Sequence, residues 1–161
     1  MAGTIKQTTL SVSINEQINI NGVQYGNTIN KTFDGNGRVD QRVMSVYTSA
    51  EDIPTFTSVL DFKSLDAKGQ VVLADFTYFR ITNTDDANFI TLQLYISAAN
   101  SSYHKIESGE SFLLMSPDMD IDCEGGAHVL TGVTEILALA DTETVGIEYV
   151  AVTKGGAEEG E

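Results

Sequence analysis

The densest acid chemistry in the chain is Asp118, Asp120 and Asp122, three carboxylates at every second position. An extended strand would line them on one face, and oxygen ligands so arranged suit a hard cation. The run has neither the glycine nor the distal glutamate of an EF-hand loop, and water and salt screen the repulsion among the three. A solvated acidic face is therefore the favoured reading. His104 and His128 lie far apart, and Lys105, Ile106 and Glu107 follow His104 where a metal cluster would place a second histidine. Cys123 and His128 have the residue types of a nucleophile and its base. No local motif joins them, and an unrelated thiol and imidazole are the simpler reading. Tyr78, Tyr95 and Tyr103 offer stacking faces for a sugar, with Asn83, Thr84, Asp85, Asn100, Ser101 and Ser102 as hydrogen-bonding groups. Tyrosines within strands normally pack across strands, and the chain has no Trp to build the usual sugar platform. Catalytic residues and cofactors are not expected from this inventory.

The elements that carry these residues read as strands almost throughout. Residues 76–81 and 89–96 are β-rich runs separated by the Asx-rich segment 83–88, a pattern that predicts a central hairpin. Asn and Asp suit that break because their side chains hydrogen-bond nearby backbone and tolerate left-handed conformations. From residue 5 to residue 20 the apolar positions Leu10, Val12, Ile14, Ile18 and Ile20 fall at even spacing, which predicts one or two strands after a short arm, residues 1–7. Asn21-Gly22 and Gly26-Asn27 read as turns. Asp34-Gly35-Asn36-Gly37 carries the strongest local hairpin signal, with a returning strand over 39–47. Further strands are expected at 56–62, 70–73, 103–106 and 111–115, with a possible short helical turn at 49–52. Residues 116–131 read as irregular, and 135–140 with 145–152 predict a closing hairpin. The tail, 155–161, is acidic and glycine-rich.

Nine or ten short strands with turn signals between them predict an all-β, antiparallel, jelly-roll-like β-sandwich in a single domain, residues 1–154. The length of 161 residues suffices for one buried core without staples. Nine basic residues against 23 acidic ones give a net charge of −14, which argues against nucleic-acid binding, since phosphate recognition needs a basic face. The lone cysteine allows no internal disulfide and fits synthesis in a reducing cytosol. No apolar run reaches membrane-spanning length, and the N-terminal stretch has no signal-peptide core, so neither a membrane anchor nor that secretion route is expected.

The segments Arg80-Ile81-Thr82-Asn83-Thr84-Asp85 and Gly109-Glu110-Ser111-Phe112, with the apolar strand between them and the opening strand that ends in Ile20-Asn21-Gly22, resemble small virion structural proteins of tailed bacteriophages, marine and cyanobacterial phages in particular. The resemblance implies a non-enzymatic protein, made in the host cytoplasm and built into the virion as a capsid decoration or cement subunit. Its partners would be itself, as a homotrimer, and the major capsid protein. Tail, baseplate and fibre components use similar β-domains and are the alternative within that class. Thr4, Ile5 and Lys6 are the expected reaching segment, available for strand addition to a neighbour. Lys31, Arg38 and Arg42, with Lys6, are the expected basic contacts to an acidic shell. From other classes, a carbohydrate-binding module would need its tyrosines on one concave patch, and a cupin-like enzyme would need His104, His128 and a carboxylate to converge.

Overall fold

The computed structural model describes residues 8–49, 54–63, 71–116, 118–119 and 131–154. Fourteen strands and one short 3-10 turn fill these segments. In chain order they are β1 (Thr8–Asn15), β2 (Ile18–Ile20), β3 (Val23–Tyr25), β4 (Thr28–Val46), β5 (Thr57–Lys63), β6 (Val71–Val72), the turn Leu73–Asp75, β7 (Phe76–Asn83), β8 (Ile90–Ser97), β9 (Asn100–Ile106), β10 (Ser111–Leu114), β11 (Asp118–Met119), β12 (Thr131–Gly132), β13 (Glu135–Ala140) and β14 (Val145–Lys154).

Two five-stranded sheets form the sandwich, in the orders β1-β4-β14-β7-β10 and β6-β5-β13-β8-β9. Setting aside the added edges β1 and β6, the eight remaining strands follow jelly-roll order, switching sheets at every step except from β8 to β9. All pairings are antiparallel except the short parallel contact of β5 with β6. Alternation in the sequence fixes which residues point inward. In β13, Ile136, Ala138 and Ala140 are buried while Leu137 and Leu139 are half-buried, and in β14 Val145, Ile147, Tyr149 and Ala151 face the core. They meet Phe79 and Ile81 of β7 and Leu92 and Leu94 of β8. In β5 the adjacent Val59 and Leu60 are both buried because a register shift against β13, between Ile136 and Leu137, lets one strand turn two neighbours inward.

Three expected hairpins are corrected by this topology. β7 pairs with β14 and β10 while β8 pairs with β13 and β9, so the segment between them crosses from one sheet to the other. The same holds for β13 and β14. The chain instead turns within a sheet between β8 and β9, where Ser97 faces Asn100. Residues 34–37 do not reverse the chain at all: 28–46 is one strand, paired with β1 over its first half and β14 over its second. Register shifts at Thr8/Leu10 and at Thr153/Lys154 absorb the extra residues there, and Gly35 takes φ of 77°, so the glycines serve bulges.

The crossing segments are bound to one another at one end of the sandwich. Asn83 is fully buried, and its amide Nδ2 donates to the carbonyls of Asn88 (2.8 Å) and Ile106 (3.2 Å) while its Oδ1 accepts from the Asp85 N–H (3.0 Å). Its backbone exchanges hydrogen bonds with Gly109 and Glu110, and the Ser108 hydroxyl donates to the Asp85 carbonyl at 2.7 Å. The Thr142 hydroxyl donates to Asn88 Oδ1 at 2.9 Å, which ties in the β13–β14 connection. Asp85 accepts the N–H groups of Asn88 and Ala87, and these bonds hold its carboxyl below the ordinary aspartate range.

Candidate interaction surface

The register of β1, β2, β3 and β4 describes one long hairpin. Leu10 faces Phe33, Val12 faces Lys31, Ile14 faces Ile29, Ile18 faces Tyr25 and Ile20 faces Val23, so that paired residue numbers always sum alike around the Asn21-Gly22 turn. The turn itself follows from local chemistry: both residues have positive φ, 52° and 81°, as a two-residue reversal demands, and the Gly22 N–H donates to Asn19 Oδ1 at 3.1 Å. Between β1 and β2 the ladder thins, but the Glu16 N–H still donates to the Asn27 carbonyl at 2.9 Å. Gly26 lies against this point with φ of 124°, and a Cβ there would collide with the Glu16 carbonyl, so only glycine lets the two strands stay in contact.

This ribbon leaves the sandwich. In β14, Val145 faces Val46 at the end bound by Asn83, and Lys154 faces Asn36 at the other, so β4 continues into the ribbon at the end remote from the bound loops. Every residue from 13 to 32 is exposed. At about 3.3 Å per residue the ribbon from Leu10 to the turn is roughly 35 Å long.

Its two faces differ in chemistry. Because the register is the same on both sides of the thinned ladder, Leu10, Val12, Ile14, Glu16, Ile18 and Ile20 share a face with their partners Phe33, Lys31, Ile29, Asn27, Tyr25 and Val23. The opposite face carries Ser11, Ser13, Asn15, Thr28, Asn30 and Thr32, where the Thr28 hydroxyl donates to Asn15 Oδ1 at 3.2 Å. Ile18, Ile20, Val23, Tyr25 and Ile29 are each 50–55% exposed and Ile14 37%. Six half-exposed apolar side chains leave on the order of 500 Å² in water, as large as the biggest patch on a typical monomer, which is often functional. A shorter apolar stripe, Val39, Val43 and Tyr47, lies on the outer face of β4, with Val43 78% exposed.

The residues singled out in the sequence are dispersed. Lys31 lies on the apolar face of the ribbon with Nζ 5.6 Å from the Phe33 ring centre. Arg42 stands at the other end of β4, where Nε donates to Asp40 Oδ1 at 2.9 Å, a bond that raises its pKa above the ordinary arginine value. The same aspartate accepts from the Tyr149 hydroxyl at 3.3 Å; burial, with Asp40 beside it, pushes the Tyr149 pKa up. Arg38 is half-buried at the bulge opposite Thr153. Asp118 is exposed on β11, and no group of three or more His, Cys, Asp or Glu among the described residues is placed to hold a metal ion. Thr4, Ile5, Lys6, Asp120, Asp122, Cys123, His128 and residues 155–161 lie outside the described residues.

His104 faces the sandwich interior at its β9 edge, with Nε2 2.6 Å from the Ser102 hydroxyl and its ring 4.9 Å from that of Phe112. The three tyrosines offered as a sugar platform do not share a surface: Tyr78 is buried in one sheet, and Tyr95 and Tyr103 belong to the other. Tyr103 is exposed, its hydroxyl accepting from Gln93 Nε2 at 3.1 Å and its ring lying 6.1 Å from Phe56. The ribbon is the feature that sequence reasoning missed. Its signal is the mirrored alternation on either side of Asn21-Gly22, which the stronger glycine signal at 34–37 obscured.

No family model, curated protein or solved structure matches the chain.

Proposed function

We propose that this chain is a non-enzymatic virion structural protein of a tailed bacteriophage, a subunit that decorates or cements the capsid, with a tail, baseplate or fibre position as the second reading. The observation that carries the proposal is the projecting ribbon: an isolated two-stranded hairpin is marginally stable in water, and one that also exposes a largely apolar face is suited to docking on a neighbour. A jelly roll supplies a rigid base for such an arm, and the acidic charge of −14 keeps free subunits apart before assembly. The two motifs that resemble phage proteins are neighbours in space, since Asn83 exchanges backbone bonds with Gly109 and Glu110. They are therefore part of the fold's framework, while the ribbon is the part suited to assembly.

The test is quantitative mass spectrometry of purified virions from a lysate in which the chain is made, after separation of heads from tails. Peptides of this chain in the head fraction, at copy numbers comparable with the shell protein, support the decoration reading. A confined low copy number in tails favours the second reading. Their absence from intact particles overturns both.

A further inference from the structure

The apolar face of the ribbon holds two charged residues of opposite sign, Glu16 and Lys31, and they are placed reciprocally. Lys31 is paired with Val12, two positions from the Ile14–Ile29 pair toward the sandwich, and Glu16 lies two positions from the same pair toward the turn. Among the described residues neither has an ion-pair partner: Lys31 leans only on the Phe33 ring, and both residues are exposed. They are also the only charged residues in the segment 8–33, which is therefore neutral in a chain of net charge −14.

We infer that the ribbon face is the contact between two copies of this chain, packed face to face and antiparallel about a twofold axis through the Ile14–Ile29 pair. That axis brings Glu16 of each copy within reach of Lys31 of the other, so each of the two charges on the face meets its opposite as it leaves water. Facing sheets stand about 10 Å apart, a gap that side chains of this length span. The ribbon commits on the order of 500 Å² of apolar area per copy, and Asn27 with the stems of Glu16 and Lys31 adds to that, toward the roughly 800 Å² per partner of a standard interface. Charge favours the ribbon, since 8–33 is neutral while the rest of the sequence carries the net −14 and repels its like. The contact is isologous and closes at two copies, whereas the phage resemblance implies three.

The test is the mass of the full chain in solution by light scattering and sedimentation, on the wild type and on Glu16→Lys and Lys31→Glu. The wild type is expected as a dimer. Each single reversal sets two like-charge pairs in the interface and is expected to weaken dimerisation on the order of 100-fold or more. Mixing the two reversed variants in equal amounts is expected to restore a dimer, now of unlike chains, because both cross-pairs are again of opposite sign. That rescue requires both variants to be folded and separates the contact from damage to either chain. A wild-type mass of one or three chains, reversals that leave the dimer intact, or a mixture that fails to associate would each overturn the inference. The outcome is independent of the virion test: chains that dimerise yet are missing from particles keep this contact, and chains found in particles but monomeric in solution lose it.

Discussion

Asn83 is the residue on which the bound end of the sandwich depends, and replacing it by Ala should be among the costliest single changes in the protein. The side chain is fully buried and makes three hydrogen bonds, two as donor to main-chain carbonyls and one as acceptor from a main-chain N–H. Its orientation follows from its partners, because two carbonyl oxygens require the NH₂ group on that side. Each bond contributes about 1 kcal/mol net, and the buried Ile106 carbonyl left without its partner adds a desolvation penalty of about 1 kcal/mol or more, so Asn83→Ala should cost about 3–4 kcal/mol. For a chain of this size that is a fall in Tm of roughly 10 °C. Asn83→Asp should cost at least as much, since it keeps the acceptor but turns an oxygen toward two carbonyls. Urea denaturation at neutral pH, with an unchanged slope and a lowered midpoint, is the measurement. A loss below 1 kcal/mol for Asn83→Ala, or wild-type stability for Asn83→Asp, would refute the assignment of these bonds as the tie between the loops.

Three further outcomes test other parts of the structure. Gly26→Ala should strip hydrogen-exchange protection from the Glu16 and Tyr25 amides while leaving β13 and β14 unchanged, because the collision with the Glu16 carbonyl is local to the ribbon; equal loss in the body would mean that the ribbon is part of the core. Asp85 has its folded pKa lowered by the Asn88 and Ala87 N–H groups, so its stabilising contribution is complete above the unfolded value of about 3.9 and fades as pH falls through the lower folded value. The stability gap between wild type and Asp85→Asn should therefore be full at pH 6 and shrink below pH 4, and a gap that widens in acid would reverse the sign. Arg80 and Glu148, 3.0 Å apart across β7 and β14 and each about a third exposed, should show a coupling of about 0.5 kcal/mol in a double-mutant cycle; a coupling above 2 kcal/mol would mean that the outer face of this sheet is covered.

Strand positions and the all-β class were legible in the sequence because alternation reports directly which residues face inward. Pairing was not. Both sheets of a sandwich present the same alternation, so the Asx-rich break after Asn83 and the acidic break after Ala140 look like hairpin turns although each carries the chain to the opposite sheet. Residues 34–37 mislead for a different reason. Two glycines beside Asx residues make a reversal cheap, but β1 and β14 hydrogen-bond the segment from either flank and hold it extended, so long-range pairing overrides local preference. The first residues of β9, Asn100, Ser101 and Ser102, escaped notice because an edge strand needs little apolar content on its open side. In the candidate surface, Lys31 was picked out for its charge alone; its meaning comes from the pairing with Val12, which no composition argument supplies.

The division between body and ribbon resolves a conflict inside the chain. Strong like-charge repulsion keeps copies of this chain apart, yet the same repulsion opposes the contact inferred for the ribbon. The neutral segment 8–33 separates the two demands, because the Ile14–Ile29 centre of the inferred contact stands four residues, about 13 Å, beyond Leu10, and repulsion decays over a Debye length of about 10 Å at 0.1 M salt. The polar Ser/Thr/Asn face completes the arrangement: it keeps the ribbon solvated on one side, so a second copy has a single side on which to pack. A ribbon with apolar residues on both faces would stack without limit, and one lined with acidic residues would be repelled by a neighbour of net charge −14.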